Sequence, residues 1–148
     1  GRICKDVPPE RVQDVIFGYT VGNDVSARDV QFTDPTWNRA KGFDTSCPLG
    51  PWITCHLSVE EAQNLRITTS LDGKIYQDGS TADMVHSITD LVSFISSYMT
   101  LLPGDVLLTG TPGGVGIMQP GQTVSVTIDQ VGTLTNPVVA ANPAGATS

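Results

Sequence analysis

The sequence predicts a β-rich α+β fold in one domain, and three observations carry that prediction. First, 148 residues include 15 glycines and 10 prolines, a turn-rich composition unlike that of a helical bundle. Second, its apolar runs come in pairs around short turn signals, the pattern of hairpins. Third, the strands come as hairpins with only two clear helices between them, too few for a doubly wound α/β fold. A hydrophobic fraction of 39% excludes a disordered chain. The length supports a core without disulfide staples.

The elements follow in order. "DVPPERVQDVI" predicts a short helix, with proline in its first turn and Val12, Val15 and Ile16 behind it. "FGYTVGN" is aromatic and β-branched and predicts a strand. Ser26 and Asp29 have the S-x-x-D spacing of a capping box, so a helix is expected from about Ala27 until Pro35 stops it. "WNRAKGFDTSCPLGPW" is expected as loop and "WITCHL" as a strand; "SVEEAQNL" offers one helical turn. "RITTSLDGKIYQDG" alternates Ile67, Thr69 and Leu71 with polar residues, and its Asp72-Gly73 pair predicts a type I′ hairpin. "SITDLVSFISSYMTLL" is the clearest helix, with Ile88, Leu91, Val92, Ile95, Tyr98 and Met99 on its apolar stripe. "DVLLTG" is expected as a strand running into the glycine-rich loop "TGTPGGVG". "QTVSVTIDQVGTLTNPV" predicts a second hairpin, and residues 140–148 a flexible tail.

The net charge is −7, from 8 basic and 15 acidic residues. A scattered, minority set of cations does not suit nucleic acid or an anionic membrane. One or two local cations still suffice for an anionic small molecule. Cys4, Cys47 and Cys55 form no CxxC and leave an odd count, so reduced, buried thiols in a cytoplasmic protein are expected. No apolar run reaches transmembrane length.

Polar groups crowd into "GNDVSARDVQ". If Ser26 caps the helix, Asp24 lies outside it and is free to face a ligand. Arg28 and Gln31, three apart, share a helix face. Spacing alone leaves two readings: a carboxylate, guanidinium and amide converging on a polar ligand, or an ordinary helix start with Asp24 capping it or pairing with Arg28. Lys41, between Ala40 and Gly42 in a Gly/Pro-rich stretch, is either a surface lysine or a cation placed to stabilise an enolate. "LLTGTPGGVG" lacks the Walker A ending and GxGxxG. It is either a plain tight turn or a loop whose N–H groups and threonines hold a carboxylate or phosphate. His56, on an apolar run, is expected to be structural, and His86 to lie near the N-terminus of the long helix. Trp37 and Trp52 are expected to pack.

"GYTVGNDVSARDVQ", "KGFDTSCPLGPW" and "PGDVLLTGTPGGVG", in that order, resemble the fumarylacetoacetate hydrolase family. They are similar to its bacterial 2-hydroxyhepta-2,4-diene-1,7-dioate isomerase and acylpyruvase-like members, over residues 3–139. The resemblance implies a roll of mixed β-sheets assembled as a homodimer, acting on 2-oxo or β-dicarbonyl acids with Mg²⁺ or Mn²⁺. It implies Asp24 as one of three carboxylate metal ligands and Lys41 as the active-site lysine. It places Arg28, Gln31, Gly110 and Thr111 against the substrate. It places the other two metal ligands, glutamates in an E-x-E pattern, and the lid upstream of Gly1. Residues 1–139 are then the C-terminal portion of one catalytic domain, and the alternative is a catalytically incomplete fragment or binding module of the same fold. Gly42 stands where the family more usually has serine.

Overall fold

Two antiparallel sheets and four short helices make up the computed structural model, which describes residues 1–140. Strands β1 (Tyr19–Gly22) and β2 (Leu49–Thr54) form a two-stranded sheet. Strands β3 (Arg66–Leu71), β4 (Lys74–Ser80), β5 (Thr123–Ile128) and β6 (Gly132–Pro137) form a four-stranded sheet in the order β4-β3-β5-β6. The helices are α1 (Arg28–Gln31), α2 (Asn38–Lys41), α3 (Val59–Ala62) and α4 (Ile88–Tyr98), and the expected first helix is a 3₁₀ helix at Pro9–Asp14. The tail expected at 140–148 lies, from 141 on, outside the described residues.

Local chemistry explains the elements that match. The β3–β4 turn places Asp72 at φ 50° and Gly73 at φ 80°, as a type I′ turn requires of both central residues. In the β5–β6 turn Gln130 takes φ 62°. α4 buries Ile88, Val92 and Ser96 at intervals of four. Ser96, fully buried, accepts the Val7 N–H at 3.0 Å and donates to the Ser93 carbonyl at 3.1 Å. Tyr98 and Met99 fall off that stripe and are exposed, with Tyr98 edge-on to Phe94 at 4.9 Å.

Three S-x-x-D/E boxes form, at Ser58/Glu61, Ser80/Asp83 and Ser87/Asp90. The one expected at Ser26/Asp29 does not. Ala27 occupies the N-cap of α1 without a side-chain bond, and the Ser26 hydroxyl donates back to the Asp24 carbonyl at 3.2 Å. The reason is tertiary: the 23–27 backbone is already tied to residues 40–48, as described below.

The strand expected at "DVLLTG" is also absent. Residues 105–110 run without strand pairing, because no neighbouring strand among the described residues offers them a ladder. Leu107 packs instead into the cluster of Val7, Val12, Ala62, Ile88 and Val92. A second cluster joins Val21, Leu57, Leu65, Val126, Val131 and Leu134 across the two sheets. Tyr19 packs against both clusters. Its hydroxyl is buried with no hydrogen-bond partner among the described residues, and burial pushes its pKa up.

Several expected interior residues lie at the surface. Cys47 and Cys55 are exposed and Cys4 is half-buried. β2 ends at Thr54, so Cys55 and His56 fall beyond the strand and face out. Trp37 and Trp52 are 59% and 61% exposed, and neither belongs to a core cluster. No helix among the described residues is long and apolar enough to cross a membrane.

Candidate functional site

Three backbone hydrogen bonds build the site by zipping residues 23–27 onto residues 40–48. The N–H of Asn23 donates to Pro48 O at 3.1 Å, that of Val25 to Ser46 O at 2.9 Å, and that of Ala27 to Ala40 O at 2.9 Å. Ala40 is wholly buried beneath this seam. The stretch expected as loop therefore contains α2, which packs on α1 and carries Lys41 at its last position. Ser46 Oγ donates to the Lys41 carbonyl at 2.8 Å and closes the turn that follows. A Cβ on Gly42 would stand 2.6 Å from the Asn38 carbonyl oxygen, so a serine there would force this turn to shift.

The seam puts Lys41 Nζ against the Asp24 carboxylate in a direct ion pair. The two side chains keep 30% and 38% exposure. The Lys41 ammonium also lies 5.9 Å from the Trp37 ring centroid. Trp37 is thus a surface partner of the lysine rather than a core residue.

On α1, Arg28 Nη1 donates to Gln31 Oε1 at 2.6 Å. That bond occupies one of the two lone pairs of the amide oxygen. The Gln31 NH₂ and the other guanidinium N–H groups remain as donors. The same-face spacing expected for this pair is realised, but Asp24 pairs with Lys41 and not with Arg28.

The glycine-rich loop packs on β4. Gln77 Nε2 donates to Thr111 Oγ1 at 2.7 Å and to Pro112 O at 2.8 Å. A Cβ on Gly79 would meet Pro112 at 3.0 Å, and one on Gly114 would meet Tyr76 O at 2.0 Å. Gly110 has φ 111°. Upstream, Leu108 abuts Gly22, two residues before Asp24. No hydrogen bond among the described residues joins Thr111 to the Asp24–Lys41 or Arg28–Gln31 pairs. Gln77 escaped the sequence reading because a glutamine in an alternating strand looks like a solvent-facing residue. Its signal was register: it stands in the row Gln77–Thr69–Val126–Leu134, the last two being core residues.

An apolar cavity of about 300 Å³ runs beside β1 and residues 101–109. Its lining reaches Gly22 and Thr109 but includes none of Asp24, Arg28, Gln31, Lys41, Gly110 or Thr111. The polar groups described above lie outside this cavity.

The C-terminal family of fumarylacetoacetate (FAA) hydrolase matches residues 1–139. The chain belongs to the fumarylacetoacetate hydrolase family. A protein of Mycobacterium tuberculosis, Rv2993c, is 55% identical over 139 residues, which are 94% of this chain and 52% of that protein. The 5-carboxymethyl-2-hydroxymuconate delta-isomerase structure from Mycobacterium smegmatis superposes with a TM-score of 0.92 at 52% identity, covering 97% of this chain and 56% of that one. The 2-hydroxyhepta-2,4-diene-1,7-dioate isomerase structure from Mycobacterium marinum gives 0.90 at 52% identity, covering 94% and 54%. The chain thus spans about half the length of the relatives it matches.

Members of such a family invite the question of a divalent metal. Among the described residues no three His, Cys, Asp or Glu side chains converge, and Asp24 is held by Lys41. One lysine-paired carboxylate does not make a Mg²⁺ site, so the residues of this chain by themselves do not fit the ion.

Proposed function

We propose that this chain carries the lysine and donor side of an active site that rearranges or cleaves 2-oxo and β-dicarbonyl acids through a stabilised enolate. The reaction is an isomerisation or decarboxylation, as of 2-hydroxyhepta-2,4-diene-1,7-dioate, or hydrolysis of a C–C bond. The observation that carries the reading is the Asp24–Lys41 pair together with the N–H donors of Arg28 and Gln31, on the packed helices α1 and α2 and the turn before them. All these reactions place negative charge on oxygen, and a preorganised cation and N–H donors stabilise that charge where it develops. Lys41 supplies the cation. Arg28 and Gln31 donate to substrate oxygens. Gly110, through its N–H, and Thr111, through its hydroxyl, anchor the substrate carboxylate and fix its orientation.

Mg²⁺ or Mn²⁺ is proposed as cofactor, with Asp24 as one ligand and the remaining carboxylates contributed from outside these 148 residues. Residues 1–139 then act as the C-terminal portion of one catalytic domain, in a cytoplasmic homodimer. The second reading, a binding module or catalytically incomplete fragment, is favoured by the lack, among the described residues, of three convergent His, Cys, Asp or Glu side chains.

Calorimetric titration of Mn²⁺ with oxalate present, on this chain and on a chain extended upstream of Gly1, separates the two. Binding by the extended chain, lost in Asp24→Ala, supports the enzyme reading. An extended chain that binds no metal, or binds it equally well without Asp24, sinks the metal role of this residue.

A further inference from the structure

Gln77 is 8% exposed and is the buried residue of β4. It shares a sheet face with Val126 and Leu134. A primary amide there is costly unless its hydrogens are satisfied. Both contacts of its nitrogen go to the glycine-rich loop, to Pro112 O and Thr111 Oγ1. A carbonyl oxygen can only accept, so Pro112 fixes which end of the amide faces the loop. The same nitrogen then gives its second hydrogen to Thr111. Thr111 Oγ1 is an acceptor in that bond, and its one proton has to point elsewhere. Thr111 is itself exposed.

We propose that Gln77 is a positioning residue that commits the Thr111 hydroxyl to donate outward, to the carboxylate of the substrate. The threonine cannot turn its proton toward Gln77, because a donor already occupies that side. An anion facing Thr111 therefore meets a donor that needs no reorientation. This inference rests on the reading of Thr111 as the carboxylate anchor.

The test uses the full-length protein with 2,4-dioxopentanoate as substrate and acetylacetone, the same dicarbonyl without the carboxylate, as competitor. Thr111→Val should raise KM for the dioxo acid about tenfold, the loss of one hydrogen bond to a charged group. It should leave inhibition by acetylacetone unchanged, and Thr111→Ser should restore KM. Gln77→Met keeps length and removes the donors, and Gln77→Glu makes the contact an acceptor. Both should raise KM several-fold with Thr111 intact and change kcat less. In a Thr111→Val background, Gln77→Met should add nothing to KM.

Additive effects in that double variant, or an unchanged KM in both Gln77 variants, overturn the proposal. A Thr111→Val protein with unchanged KM overturns the anchor reading beneath it. Absence of any turnover of the dioxo acid by the unaltered protein overturns the C–C hydrolysis branch of the proposed function, and this inference with it.

Discussion

Lys41 donates directly to the Asp24 carboxylate across 17 positions of sequence, from the last residue of α2 to the turn after β1. Both side chains are partly exposed, so the pair contributes on the order of 1 kcal/mol or less to stability. Its removal therefore separates function from folding. Lys41→Ala should lower kcat by well over tenfold, since a cation at a developing oxyanion is worth roughly 10²–10³ in rate. Its melting temperature should stay close to that of the parent. Lys41→Arg should restore only part of the rate, because a planar guanidinium does not replace a compact ammonium. Unchanged turnover in Lys41→Ala would return this residue to the role of a surface lysine.

Gly114 combines φ 99° with a backbone approach in which a Cβ would sit 2.0 Å from the Tyr76 carbonyl oxygen. Gly114→Ala should cost roughly 1–3 kcal/mol for the strained backbone and push the loop off β4, raising KM along with the loss of stability. Gly113 next to it has open space around its missing Cβ. Gly113→Ala should be near neutral in thermal denaturation. Equal effects of the two substitutions would remove the case that the loop is docked through Gly114.

Acid should destabilise the fold through its caps and one cross-strand pair. The Ser87 hydroxyl, then its backbone N–H, hold the Asp90 carboxyl below the ordinary carboxylate range. The Ser58 backbone and then its hydroxyl do the same for Glu61, and the Arg66 guanidinium does so for Asp78. Each group is more acidic folded than unfolded, so the unfolded chain takes up protons first as pH falls. The stabilisation is present above the unfolded values, about 4, and is lost as pH drops through the lower, folded values. Melting temperature followed by circular dichroism should be flat near neutrality and fall below about pH 4. Asp90→Asn should melt lower at neutral pH and show a shallower acid decline. An Asp90→Asn curve parallel to that of the parent would exclude this carboxylate from the acid response.

Tyr19 has a buried hydroxyl without a partner among the described residues. Removing an unsatisfied buried polar group returns its desolvation cost. Tyr19→Phe should therefore leave the melting temperature unchanged or raise it, while keeping the ring that packs against both clusters. A loss of more than about 1 kcal/mol, the usual worth of a hydrogen bond, would mean that the hydroxyl is bonded in solution.

Sequence by itself determined the elements whose causes are local. Asp72-Gly73 sets the β3–β4 hairpin because two left-handed residues are all such a turn needs. α4 follows from an apolar period and a cap within one segment. The family was legible too, since its motifs are runs of neighbouring residues. Tertiary structure decided whatever depended on a distant partner. Ser26 and Ser87 have the same S-x-x-D spacing, yet only Ser87 caps, because Asn23, Val25 and Ala27 tie the backbone around Ser26 to Pro48, Ser46 and Ala40. "DVLLTG" has strand composition, but a strand requires a neighbour, and none borders it among the described residues. The Lys41 partner and the buried contacts of Gln77 were beyond reach for the same reason: hydrogen bonds between residues 17 and 34 positions apart are set by how the elements pack.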